Sequence, residues 1–223
     1  MFNKNIEVVQ DLLRYLNFRE LRKPEVIASL VRAFGIVQWG PAVFGDDEKF
    51  KNPVKEMAGI YQTPDQIARA LVYLSDFQIN SYLEIGVFQG GNFLFTSEYL
   101  RQFNPEIVCM ALDPTSYLNP QIRDIITASE WMHYLQGTSN DVAGRKYDLV
   151  MIDGDHSKAW ITKDYENVGK YAKICMIHDI QEVSCPAVSD FWRSLKKGRD
   201  HVEFLNHTSP QPLQGIGIIR REE

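Results

Sequence analysis

The chain of 223 residues is 44% hydrophobic and 24% charged, which suits one soluble globular domain with a full core and an appendage. Its net charge is -5 and its densest basic stretch is short, Lys196 to Arg199, which argues against a nucleic-acid backbone as partner. Cys109, Cys175 and Cys185 are odd in number and lack CxxC spacing, which argues against a disulfide framework or a zinc knuckle.

Residues 5 to 34 read as helix. Ile6, Val9, Leu12, Leu13 and Leu16 recur at helical spacing, and Pro24 stands where a second helix would begin. The start lacks a basic cluster followed by an apolar core, and no stretch reaches transmembrane length, so neither a signal peptide nor a membrane span is expected. A cytoplasmic location is the expectation. Phe34 to Pro53 holds three Gly, two Pro and a Trp without a clear period, and reads as an ordered aromatic loop or lid.

From Thr63 the pattern becomes regular. Thr63 and Pro64 open a helix as N-cap and first helical residue. Then SYLEIGV is a strand, GGNFLFTSEYLRQF a helix, and EIVCMAL a strand ending at Asp113. NPQIRDIITAS is a helix, MHYLQG and YDLVMID are strands, and KAWITKDYENVGKYA is a helix. KICMIHD is a strand, CPAVSDFWRSLKK a helix, and HVEFLNH with GIGIIRR closes the chain as a hairpin-like pair. Alternation of this kind is the mark of an α/β, mostly parallel sheet, in which ligands bind beyond the carboxyl ends of the strands.

The residues at those ends are acids and glycines. LEIGVFQGGNF places Glu84 on the first strand, then Gly86, then Gly90 and Gly91 at a helix start. Such a turn lets a ligand approach the backbone and meet the free N–H groups of the helix. It is not the dinucleotide G-x-G-x-x-G, because Phe88 stands at the second glycine position, and it is not a P-loop. Asp113, ending the next strand, suits the two hydroxyls of a ribose. Glycine turn and acid together point to an adenosine-bearing ligand.

YLEIGVFQGGNF, ALDP, YDLVMIDGDHS and ICMIHDI, taken in order, resemble the successive motifs of class I S-adenosylmethionine-dependent methyltransferases. Within that class the likeness is to the O-methyltransferases of bacterial sugar and secondary metabolism, which carry E-I-G and D-G-D-H. It spans roughly residues 60 to 220. It implies a Rossmann-like, seven-stranded sheet with helices on both faces and the last strand antiparallel, behind an N-terminal helical extension. The chain would divide into residues 1–60, a helical segment with a lid or substrate-side loop, and residues 61–223, the methyltransferase domain. The resemblance also implies that Glu84 lies near the methionine amino group, that Gly86, Gly90 and Gly91 let the cofactor pass, and that Asp113 binds the ribose. Thr138 and Ser139 would lie near the adenine.

Asp153 follows the fourth strand and Asp179 the fifth, so the two should meet in space. Carboxylates that close repel unless a cation lies between them, and oxygen donors suit Mg²⁺ or another hard divalent ion. Such an ion would lower the pKa of an acceptor hydroxyl. By the resemblance, His156, three residues after Asp153, is the catalytic base, with a neutral imidazole as proton acceptor. His178 is the second candidate, although strand neighbours alternate faces and it could point away from Asp179. Asp153 could instead cap the helix near Ser157, and Asp155 reads equally as ligand or cap. Trp39, Phe44, Tyr61 and Trp160 are candidates for an acceptor pocket.

The expected protein is therefore an O-methyltransferase using S-adenosylmethionine and a small-molecule hydroxyl acceptor, with a homo-oligomer as a candidate state. Two other readings stand beside it. One is a nicotinamide-dependent Rossmann-like oxidoreductase. The other is a methyltransferase-like binding module without catalysis.

Overall fold

The computed structural model describes residues 4–35, 59–115, 117–205 and 214–221. Most of the lid expected at residues 34 to 61, with Trp39 and Phe44, lies outside the described residues.

The chain opens with helices α1 (Lys4–Tyr15), α2 (Phe18–Leu21) and α3 (Pro24–Phe34). Helix α4 is Pro64–Leu74. Then come β1 (Ser81–Ile85), α5 (Gly91–Arg101), β2 (Val108–Asp113), α6 (Pro120–Ala128) and β3 (Met132–Gln136). After them follow β4 (Leu149–Ile152), α7 (Lys158–Asn167), β5 (Ile174–His178), α8 (Pro186–Leu195), β6 (His201–Phe204) and β7 (Ile216–Arg220). Every expected strand and helix from Thr63 onward is present.

The seven strands form one sheet in the order β3-β2-β1-β4-β5-β7-β6. Strands β1 to β5 pair in parallel, whereas β7 runs antiparallel to both β5 and β6. The chain reverses between β3 and β4, which lie on opposite sides of β1, so a crevice opens beyond the ends of β1 and β4.

Strand residues alternate between two cores. Tyr82, Met151 and Met176 face one that includes Ile6, Ile27, Phe34, Ile67 and Phe93. Leu83, Val150, Ile152 and Ile177 face the other, with Ile161, Tyr165, Val188 and Trp192. The N-terminal helices thus share a core with the sheet.

One local expectation differs. Thr63 is the N-cap residue of α4 and Pro64 follows it, but the Thr63 side chain makes no cap hydrogen bond. Its hydroxyl donates instead to Gln214 Oε1 at 2.6 Å, tying the start of α4 to the approach to β7. Cys109, Cys175 and Cys185 are free and buried. Burial pushes the Cys109 and Cys175 thiols up to about 12, so both serve as small apolar groups.

Candidate active site

Beyond the carboxyl ends of β1, β4 and β5 lies a cavity of about 320 Å³. Gly59, Tyr61 and Gln62 line one side, Glu84, Gly86, Val87 and Phe88 with Gly91 and Asn92 another, and Asp153, His156, His178, Asp179 and Gln214 the rest.

The glycine turn is shaped by close backbone contacts. Gly86 has φ +84°, and its N–H bonds to Leu112 O at 2.8 Å. A Cβ there would collide with Asp153 O and stand 2.5 Å from Gly154 Cα, so glycine lets the turn after β1 lie against the turn after β4. Phe88 is left-handed, with φ 46°, despite occupying the position where a dinucleotide fingerprint has glycine. Its N–H donates to Asp113 Oδ2 at 2.9 Å. Asp113 Oδ1 accepts from Thr115 N at 2.8 Å and Thr115 Oγ1 at 2.6 Å. Asp113 thus braces the turn, and it is buried rather than solvated beside Pro114.

Glu84 is 1% exposed. It accepts hydrogen bonds from Tyr82 Oη and, at 3.1 Å, from Asn92 Nδ2. Burial pushes its carboxyl up to about 8, with repulsion from Asp153 adding to the rise and the Tyr82 bond opposing it. Among the described residues, the buried Gln62 Oε1, Asn92 Oδ1 and His178 Nε2 of the cavity lining have no hydrogen-bond partner. Asn92 Oδ1, on the residue that bonds Glu84, is an acceptor beside that carboxyl, a pairing that suits an ammonium group.

At the far side, the sheet brings Asp153 and Asp179 together as the strand order requires. Two imidazoles lie between them. His178 Nδ1 is 3.0 Å from Asp153 Oδ1 and 3.3 Å from Asp179 Oδ1. His156 Nε2 is 3.1 Å from Asp179 Oδ2 and 3.8 Å from Asp153 Oδ1. Gln62 Nε2 donates to Asp153 Oδ2, a partner that nothing in the sequence signalled.

His178 does not point away from Asp179. The backbone at Asp179 is left-handed, with φ 60°, which breaks the strand alternation and turns both neighbouring side chains to Asp153. Burial works against the charged form of Asp179, but His178 and His156 outweigh it and hold the carboxyl well below its usual range.

A second expectation needs correction. The neighbouring carboxylates of Asp153 and Asp179 push His156 up to about 10, so in the ligand-free protein this imidazole is charged at neutral pH. Asp153 is not a helix cap: Ser157 takes that role, accepting from Trp160 N at 3.4 Å. Asp155 caps Ser157 N at 2.7 Å and lies outside the cavity lining. Trp160 lies under Lys163, 4.7 Å from ammonium to ring centroid, while Tyr61 does line the cavity and meets Phe88 edge-on at 5.2 Å.

Thr138 and Ser139 follow β3, on the far side of β2 from Glu84. Thr138 caps a short 3₁₀ turn with Asp141, and Ser139 accepts from Asn167 Nδ2 at 2.9 Å, so both are engaged within the loop scaffold. Asn92, Gln62 and Gln214 were missed from sequence. Asn92 had a signal, since it is the second residue of α5 directly after the glycine pair.

The donor set also fits a divalent cation. The ligand atoms of Asp153, His178 and Asp179 all lie within 4.8 Å of one another, with the partnerless Gln62 Oε1 belonging to the residue that holds Asp153.

Residues 83–180 match the model of a methyltransferase domain family. That stretch contains Glu84, the glycine turn, Asp113, Asp153, His156 and Asp179. No curated protein sequence matches the chain significantly. Among solved structures, the SAH-bound methyltransferase PaMTH1 of Podospora anserina is similar at a TM-score of 0.55 and 11% identity, over 100% of this chain and 89% of that one. The O-methyltransferase TomG of Streptomyces achromogenes, in complex with SAM, aligns at 0.53 and 12% identity, over 82% and 94%. The N-methyltransferase NodS of Bradyrhizobium japonicum WM9, in complex with S-adenosyl-L-homocysteine, aligns at 0.50 and 10% identity, over 69% and 85%. The resemblance to class I methyltransferases is borne out in the fold of the sheet and in the family model that residues 83–180 match. No helix among the described residues is long and apolar enough to cross a membrane.

Proposed function

We propose that the protein transfers the methyl group of S-adenosylmethionine to a hydroxyl of a small molecule, with a divalent cation held by Asp153 and Asp179. The observation that carries this reading is one cavity that has Glu84 with the partnerless Asn92 Oδ1 at one end and the Asp153–Asp179–histidine cluster at the other. The first end suits the ammonium of the methionine portion, and the second suits an oxygen nucleophile that must lose a proton.

Gly86, Gly90 and Gly91 give the cofactor backbone access, and Asp113 takes the ribose hydroxyls. Thr138 and Ser139 flank the adenine end. Residues 1–60 serve the acceptor side of the domain formed by residues 61–223, with Gly59 at the cavity wall. The acceptor oxygen attacks the methyl carbon, the C–S bond breaks, and its electron pair returns to sulfur. The protein therefore needs orientation and a proton acceptor rather than a nucleophile of its own. His156, with a side chain 42% exposed at the cavity, takes the acceptor proton. A bound divalent cation supplies Lewis acidity to the hydroxyl and takes up the carboxylate charge that otherwise keeps His156 protonated.

The test is a mass shift of one methyl group on a panel of hydroxylated acceptors incubated with S-adenosylmethionine. Excess chelator should abolish the shift while calorimetric binding of the cofactor persists. Tight binding of NAD with none of S-adenosylmethionine would overturn the reading in favour of the oxidoreductase.

A further inference from the structure

Beyond the pair of carboxylates, the strongest unexplained feature is His178. It is 3% exposed, and its Nδ1 lies in direct contact with both aspartates.

The distances suggest what the contacts serve. An ion about 2.1 Å from each of its donors places adjacent donors about 3 Å apart. His178 Nδ1 stands 3.0 Å from one carboxylate oxygen and 3.3 Å from the other. The left-handed backbone at Asp179 is what makes this possible, since an ordinary strand would send His178 and Asp179 to opposite faces.

Resting on the metal reading above, we infer that His178 is the third protein ligand, through Nδ1, of a cation shared with Asp153 and Asp179. We infer also that this mixed nitrogen and oxygen set selects an ion of the Mn²⁺ to Zn²⁺ series over Mg²⁺. Imidazole is a borderline donor that first-row transition ions accept readily, whereas Mg²⁺ favours oxygen and dehydrates reluctantly. The Gln62 amide, bonded to Asp153, holds that carboxylate in place.

The experiment uses the full chain and does not depend on turnover. Mn²⁺ and Mg²⁺ affinities are measured by calorimetry, and the Mn²⁺-loaded protein is examined by pulsed electron paramagnetic resonance for coupling to a directly bound ¹⁴N. Mn²⁺ should bind at least ~10-fold more tightly than Mg²⁺, with a ¹⁴N coupling that survives His156→Ala and vanishes in His178→Ala. His178→Ala should lose at least ~10-fold in Mn²⁺ affinity and change Mg²⁺ affinity by less than ~3-fold. Bound Mn²⁺ without ¹⁴N coupling in the native chain would overturn the role of His178 and leave the metal reading standing. A coupling lost only in His156→Ala would move the ligand to His156 and likewise overturn the inference. Failure of both ions to bind would overturn the inference and the metal reading together. The native-chain spectrum decides the matter even if His178→Ala does not fold.

Discussion

Replacing Glu84 by glutamine tests the cavity directly, because the two effects of the change have opposite signs. The buried carboxyl has its pKa raised from 4.5 to about 8. At pH 7 about a tenth of the folded, ligand-free molecules carry the anion. The folded state holds the proton more strongly than the unfolded state between pH 4.5 and 8, so stability falls as pH rises through that window. The accumulated loss is about 3 kcal/mol at pH 7. Glu84→Gln should recover about 2–4 kcal/mol at pH 7 and almost nothing at pH 4.5, read as a shift of the urea midpoint at the two pH values. Cofactor binding should move the other way. An ammonium docking on Glu84 must expel its proton, so affinity for S-adenosylhomocysteine in the native protein should rise about tenfold from pH 6 to pH 7. Calorimetry at pH 7 in buffers of different ionisation enthalpy should show release of about 0.9 proton. In Glu84→Gln both the slope and the release should disappear. A pH-independent affinity in the native protein, or an unchanged slope in the variant, would refute the placement of the ammonium at Glu84.

Three further outcomes follow from the same geometry. Gly86→Ala should cost about 2–5 kcal/mol of stability, from the left-handed backbone and the collision with Asp153 O, measured as a lower urea midpoint at constant m. Asp113→Ala should weaken S-adenosylhomocysteine binding by about 1–3 kcal/mol in calorimetry, and unchanged affinity in a folded variant would remove Asp113 from the site. His156→Ala should lower turnover by about 10²–10⁴-fold while leaving the affinity for S-adenosylhomocysteine within about threefold of the native value. A variant with native turnover would end the assignment of His156 as proton acceptor.

Local pattern alone carried the element order, because the alternation of β-rich runs with helical periods is written residue by residue. It also marked the positions to inspect. Glu84, Gly86, Asp113, Asp153 and Asp179 stand at or just past the carboxyl ends of strands, and parallel topology sends all of those ends to one edge of the sheet. The meeting of Asp153 with Asp179 followed from β4 and β5 being neighbours. Thr63 shows the limit of that reading, since a side chain with good capping chemistry found a stronger partner in Gln214, far along the chain.

What only the tertiary structure decided were the charges and the last ångströms. The sequence could not say that His178 joins Asp179 on one side of the sheet, because the alternation rule predicts the reverse and one left-handed residue overrides it. It could not assign a protonated His156 or a neutral Glu84, because both states depend on burial and on neighbours brought together by folding. Nor could it bring Gln62 to Asp153. Secondary structure and topology arise from short-range periodicity and chain geometry, which a linear text preserves. Protonation and ligand geometry arise from distances between residues remote in sequence, and only the packed chain sets those distances.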